Sequence, residues 1–274
     1  MRQKSRNYQL LAIILCLLCS CLLCSAKEQD MPSPNEETSE AVQDAEAPVP
    51  ARMITKKDGY TYILDDFSDK MTSRFVEWLE KTYYVDKKGR VVKGWRKIGD
   101  EYYFFSRKNG CMQTKKNVDG IKLKKDGTAQ LTTYNKNKIN TMITARRIME
   151  EHTNPTDSKK VKLKKCFKWL FHFPYHRYRT LCSGRKHSGW EMKFANDIFK
   201  RNDGCCVSEA CAFAFLAKEC GAGKVYVCDD TEHAWTEIGG RVYDPLFAEA
   251  KSFRKNYNVS YHTYCLHAVN RKKI

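Results

Sequence analysis

Segments that start at Tyr83, Tyr102 and Ile121 stand 19 residues apart, and this period constrains the fold more than any other feature of the chain. Each unit alternates its side chains and then reaches a glycine. Gly89 follows Tyr83-Tyr84-Val85, Gly110 follows Tyr102-Tyr103-Phe104-Phe105, and Gly127 follows Ile121-Lys122-Leu123. Alternation at period two, closed by a turn residue, is the pattern of a β-hairpin. A fixed period of such units predicts short hairpins in series. Upstream, Met71, Phe75, Trp78 and Leu79 fall at helical spacing and predict a short helix over 68–82.

The N-terminal segment sets the compartment. Arg2, Lys4 and Arg6 precede an uncharged apolar run from Leu10 to Cys24, the pattern of a secretory signal and too short for a comfortable span. Two processing sites fit within residues 1–26. Leu18-Cys19-Ser20-Cys21 resembles a bacterial lipobox, with Cys21 as the lipidated residue. Cys24-Ser25-Ala26 suits an ordinary signal peptidase, and an uncleaved anchor is the third reading. Each places the body outside the cytoplasm. Mean hydropathy of −0.63 excludes a polytopic membrane protein. Residues 27–52 hold four of the seven prolines, seven acidic residues and no aromatic residue. Such a stretch buries too little apolar surface to offset its ordering entropy, so it reads as a flexible acidic linker. The net charge of +17 then concentrates in the body: from Arg52 onward, 45 basic residues face 25 acidic ones, a balance of +20. Outside the cell that charge suits an anionic wall polymer or lipid head groups rather than nucleic acid.

Within 83–130 the order Gly94-Trp95, then Gly99-Asp100-Glu101-Tyr102-Tyr103-Phe104, then Gly110-Cys111-Met112-Gln113-Thr114 resembles the cell-wall-binding repeats of Gram-positive surface proteins. The resemblance implies shallow aromatic pockets, with Trp95, Tyr102, Tyr103 and Phe104 as wall-binding residues that hold choline or glucan by cation–π contact or stacking. The unit after Trp95 has Lys116-Asn117 in place of a second Gly-Trp, which leaves the cage incomplete.

The last third carries the chemistry. Ala210, Phe213, Ala214 and Ala217 predict a helix from Cys206 to Glu219, closed by Gly221. Cys206 then lies in the first turn, where free N–H groups and the helix dipole favour a thiolate. Cys205 is the alternative nucleophile, and Asp203 is positioned to cap the helix. A thiolate catalyst needs a base and a group that orients it. His233-Ala234-Trp235-Thr236-Glu237-Ile238, the turn Gly239-Gly240 and Arg241-Val242-Tyr243-Asp244 form a predicted hairpin that brings His233 close to Asp244. The set Cys206, His233 and Asp244 follows the logic of a Ser-His-Asp triad. The Cys206 backbone N–H is the natural oxyanion donor; Trp190 and His187 are weaker upstream candidates.

The order G-x-C-x-x-x-A (Gly204, Cys206, Ala210), H-A-W-x-E (His233 to Glu237) and Y-D-P (Tyr243 to Pro245) resembles the transglutaminase-like superfamily, in particular its bacterial extracellular members. The resemblance covers about 140–268. It implies an α+β, papain-like transglutaminase core, with the Cys helix packed on an antiparallel sheet, after the small β-hairpin repeat module. It also implies attack of Cys206 on an amide, a thioester acyl-enzyme, and release to water or an amine, without metal or other cofactor. The substrate would be a peptide, a protein glutamine side chain or a wall crosspeptide. A non-catalytic surface protein that binds wall polymer through its repeats is the second reading.

The expected organisation is thus a signal at 1–26, a linker at 27–52, the repeat module at 53–132 and the transglutaminase-like domain at 133–274. Lysines from Lys159 to Lys165, followed by Cys166, Phe167, Trp169 and Leu170, predict an amphipathic helix with its basic face outward. His172 and His176 have the spacing of a zinc pair, but Pro174 between them breaks the helix such a pair needs.

Overall fold

In the computed structural model, which describes residues 49–274, the chain starts with four antiparallel hairpins in series. They are β1 (Pro50–Thr55) with β2 (Thr61–Asp65), β3 (Arg74–Trp78) with β4 (Lys81–Val85), β5 (Gly94–Ile98) with β6 (Glu101–Phe105), and β7 (Asn117–Val118) with β8 (Ile121–Lys122). The segments at the 19-residue period are the second strands β4, β6 and β8. Single bridges such as Val85 to Val91 and Phe105 to Met112 stitch each hairpin to the next. The signal, Cys21 and residues 27–48 of the expected linker lie outside the described residues. The expected linker ends early, because Pro50 to Arg52 already pair in β1.

The helix expected over 68–82 is instead hairpin β3–β4. Its apolar spacing is misleading. Val76 is buried while its neighbours Phe75 and Glu77 are exposed, a period of two. Leu79 and Glu80 both have positive φ, 49° and 58°, and make the two-residue turn that closes the hairpin.

From Thr133 the chain is mainly helical. α1 (Thr133–His152) is capped by Thr132, whose hydroxyl accepts from Asn135 N at 3.1 Å. α2 (Lys159–Trp169) buries Leu163, Cys166 and Phe167 and exposes most of its lysines, as its amphipathic pattern predicts. Two short helices follow, α3 (Leu181–Arg185) and α4 (Trp190–Asn196). Next comes α5 (Cys206–Glu219), buried along its length except at Lys218. Its alanines admit close neighbours: α1, α2 and α4 on one side, a sheet on the other.

That sheet is five-stranded and antiparallel. Its order is β12 (Tyr257–Val259), β11 (Arg241–Tyr243), β10 (Ala234–Ile238), β9 (Val225–Asp229), β13 (Asn270–Lys273). The short helices α6 (Pro245–Ala250) and α7 (Phe253–Asn256) join β11 to β12. The architecture is therefore a hairpin module followed by a mixed helix and sheet layer. One apolar core runs across the expected 132/133 boundary: Trp95, Tyr102, Phe104, Ile121 and Leu123 pack in the same cluster as Ile139, Met142 and Phe213. No helix among the described residues is long and apolar enough to cross a membrane.

Candidate active site

α5 starts where the sequence places it. Cys205 is the N-cap and Cys206 the first helical residue, and the helix closes with Ala222 N donating to Ala217 O (2.9 Å) and Gly221 N to Lys218 O (3.0 Å). Asp203 does not cap this helix; its carboxylate accepts the Tyr178 hydroxyl instead. The hairpin β10–β11 turns on Gly239 and Gly240, both at positive φ (57° and 81°). Thr236 Oγ1 donates to Ala210 O at 2.7 Å and so pins the strand that follows His233 to the middle of the Cys helix.

His233 is held on every side. Its Nε2 lies 2.8 Å from Asp244 Oδ2. Its backbone N donates to Asp230 Oδ1 at 2.7 Å, and its ring stacks on Phe247 at 4.1 Å and 11°. Asp244 has no exposed surface. It accepts from Tyr264 Oη (2.7 Å) on Oδ2 and from Phe247 N (3.0 Å) on Oδ1, the latter as the N-cap of α6. With Nε2 committed to Asp244, Nδ1 is the ring nitrogen left for a proton transfer.

The two neighbouring thiols are both buried. The Cys206 thiol next to it lowers the Cys205 pKa, with Ser208 and the Val207 N–H acting against burial. Cys206 is pushed up by Cys205 and by burial. The pair therefore carries one negative charge at low cost and a second at high cost. Ser208 Oγ donates its single proton to Asp197 Oδ2 at 3.1 Å and lies 3.7 Å from Cys205 Sγ. Through Thr236 the hairpin that carries His233 and Asp244 packs against the helix that begins at Cys206.

Trp235 and Glu237 are buried behind the site, joined through Tyr261 Oη at 3.0 and 2.9 Å. Trp190 packs on Phe194 in the core and His187 is exposed, so neither is placed as an oxyanion donor. Sequence reasoning did not reach Tyr264, Phe247 or the Arg179–Asp197 pair. Asp244-Pro245 is itself an N-cap signal that points to α6 and its Phe247; for Tyr264 and Arg179 no local signal exists.

The wall-binding residues divide differently from the expectation. Trp95, Tyr102 and Phe104 are buried, with Trp95 Nε1 donating to Asp119 Oδ2 at 3.1 Å and Tyr102 Oη to Asn140 Oδ1 of α1 at 3.2 Å. Helix α1 covers the face on which a ligand was expected. Tyr103 points the other way, and Phe75 lies 5.1 Å from Tyr84 and 5.2 Å from Tyr103, with Phe75 41% exposed.

No family model matches the chain, and no curated protein does. Partial likenesses to solved structures exist. CbpJ from Streptococcus pneumoniae TIGR4 is 25% identical over 29% of this chain and 28% of its own, with a TM-score of 0.27. Choline binding protein F from Streptococcus pneumoniae, solved in the presence of a peptidoglycan analogue, is 22% identical over 28% of this chain and 26% of its own, at 0.27. The choline binding domain of Spr1274 in Streptococcus pneumoniae is 18% identical over 29% of this chain and 93% of its own, at 0.27. The chain thus spans about a quarter of the length of the first two. Likeness at this level establishes no common fold.

Proposed function

We propose that the chain is a cell-envelope cysteine enzyme of transglutaminase-like type, which forms a thioester on an amide substrate and passes the acyl group to water or to an amine. The observation that carries this reading is the 2.8 Å bond between His233 Nε2 and Asp244 Oδ2, on a hairpin that Thr236 ties to the helix beginning at Cys206. In the proposed cycle Cys206 Sγ attacks the amide carbonyl carbon while His233 Nδ1 takes the thiol proton. Asp244 holds the ring and stabilises the imidazolium. The tetrahedral oxyanion is met by first-turn N–H groups of α5, the Cys206 N–H among them, which have no acceptor within the helix. His233 returns its proton to the leaving amine nitrogen, which breaks the C–N bond and leaves the thioester. Water or an amine then attacks the thioester carbonyl, His233 taking its proton and passing it to Cys206 Sγ as the C–S bond breaks. Acyl donors that fit are a peptide, a protein glutamine side chain or a wall crosspeptide.

Iodoacetamide at neutral pH tests this reading. Alkylation of the Cys205–Cys206 pair ahead of the other cysteines in the wild type, retained at Cys206 in Cys205→Ser and lost in His233→Ala, is the expected result. Equal, slow labelling of all cysteines would sink the activated thiol.

A second reading is a wall-polymer-binding protein without catalysis. The observation that favours it is the cluster of exposed Phe75 with half-buried Tyr84 and Tyr103 at the surface of the hairpins. The choline-binding names of these partial likenesses accord with this reading. Cosedimentation with purified peptidoglycan tests it: loss of retention in Phe75→Ala/Tyr103→Ala supports a ligand face there, and unchanged retention removes it.

A further inference from the structure

A cavity of about 140 Å³ lies on the far side of the Cys helix, where the hairpins meet α1, α2 and the C-terminal end of α5. Four cationic side chains line it: Lys93 before β5, Arg107 after β6, Arg146 on α1 and Lys162 on α2. Two carboxylates line it as well, Glu150 and Glu219. The arginines use both of them. Arg107 pairs with Glu219 at 2.7 Å, and Arg146 pairs with Glu150 at 2.6 Å and with Glu219 at 3.6 Å. Nothing remains for the lysines. Lys162 Nζ reaches only the Pro155 carbonyl at 3.1 Å, and Lys93 has no ion pair among the described residues. Lys93 is nevertheless half-buried, and burial followed by Arg146 and Lys162 lowers its pKa. On residues that line the cavity, Arg107 Nε, a donor, is buried without a hydrogen-bond partner, and Glu219 Oε2 accepts no hydrogen bond and meets only Arg146, at 3.6 Å.

Unpaired cations in a partly enclosed site cost free energy that a bound anion recovers. The leftover groups also define which anion. Lys93 and Arg107 Nε call for acceptors, whereas Glu219 Oε2 calls for a donor. Phosphate in its singly or doubly charged form offers both, through P–O⁻ and P–OH, and lysine serves it as a point charge. Sulfate offers acceptors only. We propose that this cavity is a binding site for a phosphate-type oxyanion, either free or as a phosphomonoester, distinct from the Cys206 site.

Isothermal titration of the full chain with inorganic phosphate, at ionic strength held constant with potassium chloride, tests the proposal. Saturable one-site binding is expected, weaker by at least tenfold in Lys93→Ala/Lys162→Ala and weaker for sulfate than for phosphate. Lys93→Gln alone, milder for folding, should lower affinity in the same direction, with circular dichroism of each variant checked against wild type. A parallel titration with glycerol 3-phosphate separates the sources: comparable binding assigns a phosphomonoester, and binding of inorganic phosphate alone assigns the free ion. Absence of saturable binding to both ligands, or equal affinity in wild type and variants that fold as wild type, overturns it.

Discussion

Asp244 has no contact with solvent, yet its side chain receives three hydrogen bonds, from His233, Tyr264 and the Phe247 backbone. Such a carboxylate is stabilised by donors rather than by water, and each donor removed leaves it partly unsatisfied. Tyr264→Phe is therefore expected to destabilise the fold by about 1–3 kcal/mol and to slow alkylation of Cys206, because Asp244 then holds the imidazole less firmly. Urea unfolding and the alkylation rate check the two effects separately. Glu209, one turn along α5 from Cys206, makes the opposite case. Burial, with Glu249 and Asp244 nearby, raises its pKa to about 9 from 4.5. An acid with a raised folded pKa stays protonated in the fold while the unfolded chain has ionised, so stability falls as pH rises from about 4.5 to about 9. Glu209→Gln removes that slope. The variant should gain on the wild type between pH 5 and pH 8 in urea unfolding, and parallel stability curves would contradict a buried neutral Glu209.

At the scale of elements, the turn of β3–β4 illustrates what the residues conceal. Leu79 and Glu80 sit in the left-handed region, where Asn and Gly are at ease and branched or long side chains are not. Nothing in Leu-Glu signals a turn, while Phe75, Trp78 and Leu79 imitate a helical stripe, so the hairpin was invisible in the sequence. Leu79→Asn/Glu80→Gly should stabilise the protein by about 1 kcal/mol, read as a higher urea midpoint with unchanged slope. The period itself was legible from the alternation in β4, β6 and β8 and the glycines after them, and Gly99 and Gly120 occupy the turns of β5–β6 and β7–β8 at positive φ. The Cys helix was legible for a related reason: its alanine spacing and Gly221 are local signals. So was the proximity of His233 and Asp244, which a glycine turn brings together. The faces were not legible. Trp95, Tyr102 and Phe104 carry the pattern of a ligand site, but whether such rings meet ligand or helix depends on where α1 lies, and that is decided by Ile139 and Met142 more than thirty residues away in the chain. Tyr264 reaches Asp244 by the same kind of long-range folding.

At the scale of the molecule, hairpins β5–β6 and β7–β8 should unfold with the helical layer, because they share its core and their charges are interlocked, whereas β1 to β4 enclose a separate cluster of Ile63, Val76, Tyr83 and Val85. Arg107 is the hinge of that argument. It follows β6, yet it pairs with Asp119 in the β7–β8 turn and with Glu219 at the end of α5, both at 2.7 Å. Burial alone would raise the Asp119 pKa; Arg107 and Lys218 outweigh it and bring it to about 2. That share of stability is present above the ordinary value of 3.8 and is lost as pH falls towards 2. Arg107→Ala strips the fully buried Glu219 side chain of its closest partner, so a loss of about 3–5 kcal/mol is expected. The loss should appear in both halves at once. Amide hydrogen exchange at increasing urea reads β5 and β6 separately from α1 and α5, so the two transitions should coincide in the wild type and shift together in the variant. Separate midpoints would mean that the hairpins unfold on their own and that the layer behind Cys206 does not need them.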